Sequence, residues 1–273
     1  MTNSLSRAPT RFQRRLLWVT AATGLLLLGL WGWPRWQNQR ALNHLVQSGA
    51  LLDSSHDRPV WLRLSGRQVR QTDLDAVRRL DQLQRVYLDE SNISDRQLAV
   101  FGRLRNLEVL SLNQTGISDD GLSYLQGLPA LKELHLDGAY RVTDLGLQTL
   151  SKFPMLSDLR IRETPVTLDG LIRLSGAIPT LQIDSTHGVL GNRKLALSGT
   201  RSTDEALIRL RSATGLTGLE LPSRIGDNGL PHLYNLGQLR FLVLSKTQTS
   251  SEGLGKLLSH LSRLEELDLT GCL

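Results

Sequence analysis

The sequence predicts an α/β solenoid, a right-handed βα horseshoe with its parallel sheet on the concave face, preceded by one transmembrane helix. Three observations predict it. One sequence unit recurs from Leu62 to the end of the chain, with its clearest copy, LEVLSLNQTGISDDGLSYLQGLPA, at Leu107 to Ala130. A central aliphatic can be followed through Leu62, Val86, Leu110, Leu134, Leu159, Leu181, Leu195, Leu219, Leu242 and Leu267, at spacings of 24, 24, 24, 25, 22, 14, 24, 23 and 25 residues. Residues 16 to 33, ahead of the repeats, carry no charge.

The uncharged stretch reads as a membrane anchor. Its 18 residues are at the short end of what crosses a bilayer as a helix. Trp18, Trp31, Trp33 and Trp36 sit near its ends, where interfacial aromatics gather. Arg7, Arg11, Arg14 and Arg15 precede it and only Arg35 and Arg40 follow closely, so the positive-inside rule keeps the N-terminus cytoplasmic and the repeats outside. Residues 1–15 are then a basic cytoplasmic tail and residues 16–36 a signal anchor. A cleaved signal peptide is the alternative, but Trp33 and Pro34 stand where an A-x-A site would be wanted. Residues 41–59 read as a juxtamembrane cap, an amphipathic helix (ALNHLVQSGALL) and a polar turn that cover the first repeat of a 60–273 repeat domain.

Within a repeat, the L-x-x-L-x-L core is a short strand whose alternate side chains point inward. One copy buries too little apolar surface, at ~1.5–3 kcal/mol per aliphatic, to offset ~1–2 kcal/mol of backbone entropy per residue. Stacked copies are therefore required. After each strand comes a helix start: Ile117-Ser118-Asp119-Asp120-Gly121-Leu122, Val142-Thr143-Asp144-Leu145-Gly146-Leu147 and Ile225-Gly226-Asp227-Asn228-Gly229-Leu230. The hydroxyls and carboxylates there are expected to accept from the open N-H groups of the first helical turn. Leu122, Leu125 and Leu128, then Leu230, Leu233 and Leu236, supply the buried helical stripe. The 14-residue step from Leu181 to Leu195 is too short for a strand, a helix and two turns, so that unit should lack its convex helix. His187, within it, reads as a loop residue. At the far end, Glu265, Glu266 and Asp268 are expected to discourage edge pairing, although self-association through that edge stays open.

Spacings of 20–29 residues are those of leucine-rich repeats, and the pattern resembles their cysteine-containing subfamily, known from F-box proteins and from bacterial single-pass membrane proteins. In that subfamily a Cys follows the second strand leucine by three positions. Here the slot reads Ser91, Thr115, Ala139, Thr164, Thr186, Thr200, Thr247 and Cys272. The resemblance implies a structural role for Cys272 and a protein-binding role for the domain. An adaptor role in ubiquitin ligation would need an F-box-like module, and the anchor takes that space.

Composition excludes several classes of function. The net charge of +6 arises in residues 1–40, which hold six Arg and no acid; the other 26 basic residues are matched by 26 acidic ones. Without a basic, aromatic-interleaved stripe, nucleic acid is not expected as a partner. The six His form no H-E-x-x-H pair, the single Cys excludes a C-x-x-C motif, and Gly253-Leu254-Gly255-Lys256 lacks the phosphate-loop spacing. No enzyme, no metal site and no cofactor are expected.

Function is then expected on the concave face. One outward column reads Arg63, Tyr87, Ser111, His135, Arg160, Gln182, Ala196, Glu220, Val243 and Asp268; the next reads Ser65, Asp89, Asn113, Asp137, Arg162, Asp184, Ser198, Pro222, Ser245 and Thr270. The candidate partner-binding residues are Tyr87, Asp89, Ser111, Asn113, His135, Asp137, Arg160 and Arg162, since Tyr and Arg are enriched at binding hot spots. The expected partner is an envelope protein outside the cytoplasm, in the periplasm or at the cell surface. A cell-wall glycan would want more aromatics than Tyr87 alone, and a self-associating scaffold is the third reading.

Overall fold

In the computed structural model the described residues are 39–53, 60–191, 193–197 and 203–272. The tail of residues 1–15 and the anchor of residues 16–36 lie outside them, as do residues 54–59 of the cap. Among the described residues no helix is long and apolar enough to cross a membrane.

The chain lays down one sheet whose strand order is the sequence order. Helix α1 (residues 39–47) leads into β1 (Leu51–Leu52), which pairs antiparallel with β2 (Trp61–Arg63). Five repeats then alternate strand and helix: α2 (Gln71–Val77), β3 (Arg85–Tyr87), α3 (Asp95–Leu98), β4 (Val109–Ser111), α4 (Asp119–Ser123), β5 (Glu133–His135), α5 (Asp144–Leu150), β6 (Asp158–Ile161) and α6 (Leu168–Ala177). Strands β2 to β6 are parallel and in strict register, with Leu62, Val86, Leu110, Leu134 and Leu159 in one row. All five are fully buried. Their neighbours on either side along each strand face the other way, as a two-residue period demands.

The register corrects one unit of the sequence reading. Ile183, not Leu181, lies opposite Leu159 in β7 (Gln182–Ser185). Leu181 is buried just ahead of the strand. The second inward position is Ser185, a polar residue, so an L-x-L pattern was found two residues too early; its hydroxyl donates to Gly188 O at 2.8 Å. After β7 the chain turns back as β8 (Gly188–Gly191), antiparallel to both β7 and β9 (Lys194–Leu197). A strand therefore occupies the short step, and among the described residues no helix lies between β7 and β9. His187 sits in the hairpin turn with Nε2 3.1 Å from Val166 O. The absent helix leaves a cleft of ≈ 290 Å³ between α6 and the next convex element, lined by Ile172, Leu190, Arg193 and Leu216 among others.

Parallel pairing resumes through β10 (Gly218–Glu220), β11 (Phe241–Val243) and β12 (Glu266–Asp268). Two convex elements here are 3-10 helices, Asp204–Ser212 and Leu230–Leu233, before α7 (Ser251–Leu258). At β12, Glu266 and Asp268 are exposed. Glu265 is drawn back to Arg240 of the preceding repeat by two hydrogen bonds of 2.7 and 2.6 Å.

The helix starts reveal how neighbouring repeats are stitched. Hydroxyls cap their own helices: Thr167 Oγ1 accepts from Gly170 N and Ser250 Oγ from Gly253 N, both at 3.1 Å. The carboxylates of Asp95, Asp119, Asp144, Asp204 and Asp227 turn to the next repeat instead of capping their own helices, contrary to the expectation. Asp95 accepts from Ser118 N and Oγ at 2.9 and 2.7 Å; Asp119 from Thr143 N and Oγ1 at 2.8 and 2.7 Å; Asp144 from Thr167 N and Oγ1 at 2.8 and 2.6 Å; Asp227 from Ser250 N and Oγ at 2.7 and 2.6 Å. Asp204 reaches Gly226 N at 2.8 Å. Each carboxylate therefore lies across the helix start of the following repeat. A Cβ at Gly121, Gly146, Gly170, Gly229 or Gly253 would come within 2.3–2.6 Å of the oxygen of that Asp. The glycine is demanded by the neighbour's carboxylate, and none of the five has a left-handed backbone.

The small-residue slot is also structural. Thr115, Thr164 and Thr247 donate to the carbonyl three residues back at 2.6, 3.0 and 2.7 Å, closing the corner after each strand. Cys272 Sγ lies 2.9 Å from Leu244 O of the previous repeat. In the corrected register Thr186 leaves this slot and instead accepts from Glu163 N at 2.6 Å.

The N-terminal end is closed by α1, whose Ala41 and Leu45 join the core. A polar cluster sits beneath it. Asp73 is fully buried and takes Arg67 Nη2 at 3.1 Å and Arg70 N at 3.0 Å on Oδ2. His44 Nε2 of α1 lies 3.3 Å from Asp73 Oδ1, close enough for attraction but not aligned as a hydrogen bond.

Candidate interaction face

The parallel register sets three rows of side chains on the concave surface. Arg63, Tyr87, Ser111, His135, Arg160 and Asp184 face one another across consecutive strands. Asp184 thus belongs to this row and Gln182 to the one before it, a consequence of the Ile183 register. The row before it, which the sequence reading left out, contains Trp61, Arg85, Val109, Glu133, Asp158 and Gln182. Its signal was available: in a strand, the residue preceding the central aliphatic faces the same side as the one following it.

The eight candidate residues divide by what they already hold. Asp89, Asn113 and Asp137 form a ladder along the strand ends: Asp89 Oδ1 accepts from Asn113 N at 2.9 Å, Asn113 Oδ1 from Asp137 N at 2.8 Å, and Asp137 Oδ1 from Arg162 N at 2.7 Å. Ser111, almost fully buried, donates to Asp89 Oδ1. Asp89, Asn113 and Asp137 thus satisfy the backbone where each strand ends, and Ser111 holds the Asp89 carboxylate in place. Arg162 makes a two-point contact with Asp184, Nε at 2.8 Å and Nη2 at 2.7 Å, and Arg160 Nε stands 3.7 Å from Asp158.

His135 is mostly covered, with Nε2 4.0 Å from Glu133 and lacking a hydrogen-bond partner. Burial, then the nearby Arg160 guanidinium, holds its imidazole below the ordinary value against the opposing pull of Asp158, Glu133 and Asp89. A group whose folded pKa is lowered binds its proton more readily when unfolded. Its contribution to stability is complete above the unfolded pKa and is lost as pH falls towards the folded one. From about pH 7.5 to about pH 5.5 the chain should lose stability in denaturant titrations, and His135→Gln should reduce that loss. An equal loss in both proteins would assign the dependence to other groups.

Tyr87 is half-buried and carries the Arg63 guanidinium 5.2 Å from its ring centroid. Further along, Phe241 has Lys194 Nζ at 4.0 Å and Arg240 at 5.7 Å. Counting Trp61, this face holds three aromatics where two columns had suggested one, and cations cover two of the rings. Among the described residues no group of three or more His, Cys, Asp or Glu is placed to hold a metal ion.

Comparison with known proteins agrees with the repeat. The leucine rich repeat family matches residues 81–139. A protein of Trypanosoma equiperdum named "Putative adenylate cyclase regulatory protein" is 30% identical over 214 residues, covering 78% of this chain and 31% of its own length. The chain thus spans under a third of that relative. Two internalins of Listeria monocytogenes align over 77% of this chain and 80% of theirs: one, an internalin, at 19% identity and a TM-score of 0.40, the other, internalin C2, at 18% and 0.39.

Proposed function

We propose that this leucine-rich repeat protein is a recognition module that binds a protein partner on its concave sheet face and carries out no catalysis. The observation that carries the reading is the registered concave surface itself. Its side chains from β2 to β6 are held in rows by a sheet whose other face packs into the core, yet Arg63, Arg85 and Arg160 remain exposed. The ladder of Asp89, Asn113 and Asp137 fixes the strand ends, so that Tyr87, His135 and Arg160 are displayed on a rigid base. A regulatory name on the Trypanosoma equiperdum relative is in keeping with binding in place of chemistry. A glycan receptor fits less well, because a sugar needs open aromatic faces and cations lie over Tyr87 and Phe241, two of the three rings on this face.

We further infer that residues 16–36 anchor the chain and place the repeats outside the cytoplasm, on the strength of the uncharged run and the arginines before it. The cysteine-containing subfamily remains the best match to the slot that Thr115, Thr164, Thr247 and Cys272 occupy.

The test is photocrosslinking of the full chain in native cells, with a photoreactive residue at Arg160 and a control at Gln126 on the convex side. A discrete protein adduct at Arg160 alone is expected; equal or absent adducts at both sites would overturn the concave reading. Alkaline extraction of the same membranes should leave the chain in the pellet, and its release would remove the anchor.

A further inference from the structure

At the N-terminal end of the concave face, four side chains form a patch unlike the rest. Trp61 is in register with Arg85 and Arg63 with Tyr87. Arginine and aromatic thus alternate both across the strands, ~4.8 Å apart, and along them. Both guanidiniums are exposed and both rings half-buried. Apolar side chains border the patch on either side: Leu51 of β1, 56% exposed, opposite Arg63, and Val109 of β4 opposite Arg85.

Charge separates this patch from the remainder of the face. Arg160, Arg162 and Arg240 each have a carboxylate within 4 Å. Among the described residues neither Arg63 nor Arg85 has one. The nearby acids are committed: Asp89 to Ser111 Oγ and Asn113 N, and Asp53 to a contact of its own. Glu133, in the row of Arg85, is two strands away.

We propose that Trp61, Arg63, Arg85 and Tyr87 dock an acidic segment of a protein partner, its carboxylates on the two guanidiniums, Tyr87 backing Arg63, and an apolar side chain against the ring of Trp61. The proposal rests on the concave-face reading and names the chemistry of its partner. Unpaired guanidiniums favour carboxylates, which they can grip at two points, and Trp, Tyr and Arg are the residue types that dominate binding energy. A chain segment can enter the inner side of an arc, whereas a planar bilayer surface cannot.

The test again uses the full chain in native cells, with the photoreactive residue at Val109, beside the patch, and at Arg160, mid-face. Each is made with and without the pair Arg63→Glu and Arg85→Glu, and with Arg63→Lys and Arg85→Lys. The crosslinked partner segment is sequenced by mass spectrometry. The expected result is a Val109 adduct on an acidic segment that falls about tenfold or more on charge reversal and is partly kept by the lysine pair. A neutral or basic segment, a lipid adduct, or an adduct indifferent to charge reversal overturns the proposal. Adducts at Arg160 without any at Val109 overturn the patch and leave the concave reading standing; none at either position overturns both.

Discussion

Asp73→Ala should destabilise the chain by about 3–5 kcal/mol, the range found when one member of a buried ion pair is removed. The side chain has no solvent exposure, while that of Arg67 keeps 18%. Without Asp73, the Arg67 guanidinium faces a closed interface, Arg70 N loses its acceptor, and His44 of α1 loses the carboxylate beside it. The position explains why an acid is there at all. Asp73 is the third residue of α2, the place that α4, α5, α6 and α7 give to glycine to admit the carboxylate of the repeat before. In the first repeat its own Asp fills the space. Guanidinium unfolding followed by circular dichroism measures the change. Asp73→Asn, which keeps an acceptor for Arg70 N, should retain part of the loss; two variants as stable as the parent would show that the cluster contributes nothing.

Gly170→Ala should cost about 2–3 kcal/mol through a single methyl group. Its Cβ would meet Asp144 Oδ1 at 2.3 Å, Cγ at 2.5 Å and Oδ2 at 2.8 Å. The carboxylate is held by Thr167 N and Oγ1, so it can yield only by giving up those bonds. Asp144→Ala alone should cost about 1–3 kcal/mol by stranding the two donors. In that background Gly170→Ala should be close to neutral, since the space is free and Ala favours the helix over Gly by ~1 kcal/mol. The double-mutant cycle reads this coupling directly. Additive costs would mean that the glycine serves some purpose other than room for the carboxylate.

The coupling between these positions can be read along the chain. Where a convex element begins with Asp, as at Asp95, Asp119 and Asp144, the third position of the next is Gly121, Gly146 or Gly170; Asp204 and Asp227 are matched in the same way by Gly229, just ahead of the Leu230–Leu233 helix, and by Gly253, third in α7. Where it begins with Gln71 or Leu168, the next third position is Gln97 or Ala206. The sequence reading recognised these acids as belonging to helix starts but assigned them to the wrong helix, because spacing along one chain does not say which of two stacked neighbours a short side chain reaches. Strand positions were more readily found, since a period of two and a repeat near 24 residues fix the inward row. The reading failed at Ile183, where a serine replaces the second core aliphatic and the pattern has an equally good match two residues earlier.

The interaction face was only half visible for a related reason. Alternation names the residues that point outward but not those that the turns then recruit, so Asp89, Asn113 and Asp137 looked like Arg160 when they serve the backbone. Trp61 and Arg85 were passed over because attention stayed on the residues after the central aliphatic. That Arg162 is paired and Arg85 is not depends on Asp184 arriving from the following repeat, a contact between strands that only the register reveals.

The hairpin of β7 and β8 has an effect on the solenoid as a whole. In a stacked array each unit is held only by its neighbours, so cooperativity is as strong as the weakest junction. At this one, among the described residues, three kinds of stitch lapse together: no helix stands between α6 and the Asp204–Ser212 element, Leu168 replaces the bridging Asp, and the Asp89–Asn113–Asp137 ladder has already ended at Arg162. Besides the continuous sheet, the apolar contacts around the cleft and one bond from Ser212 Oγ to Asp169 Oδ1, at 3.3 Å, remain on the convex side. Among the described residues the two halves are thus joined here by the backbone pairing of β7, β8 and β9 and by one hydrophobic core that runs through both, so the role that side-chain stitches play elsewhere passes at this point to the sheet and the apolar contacts.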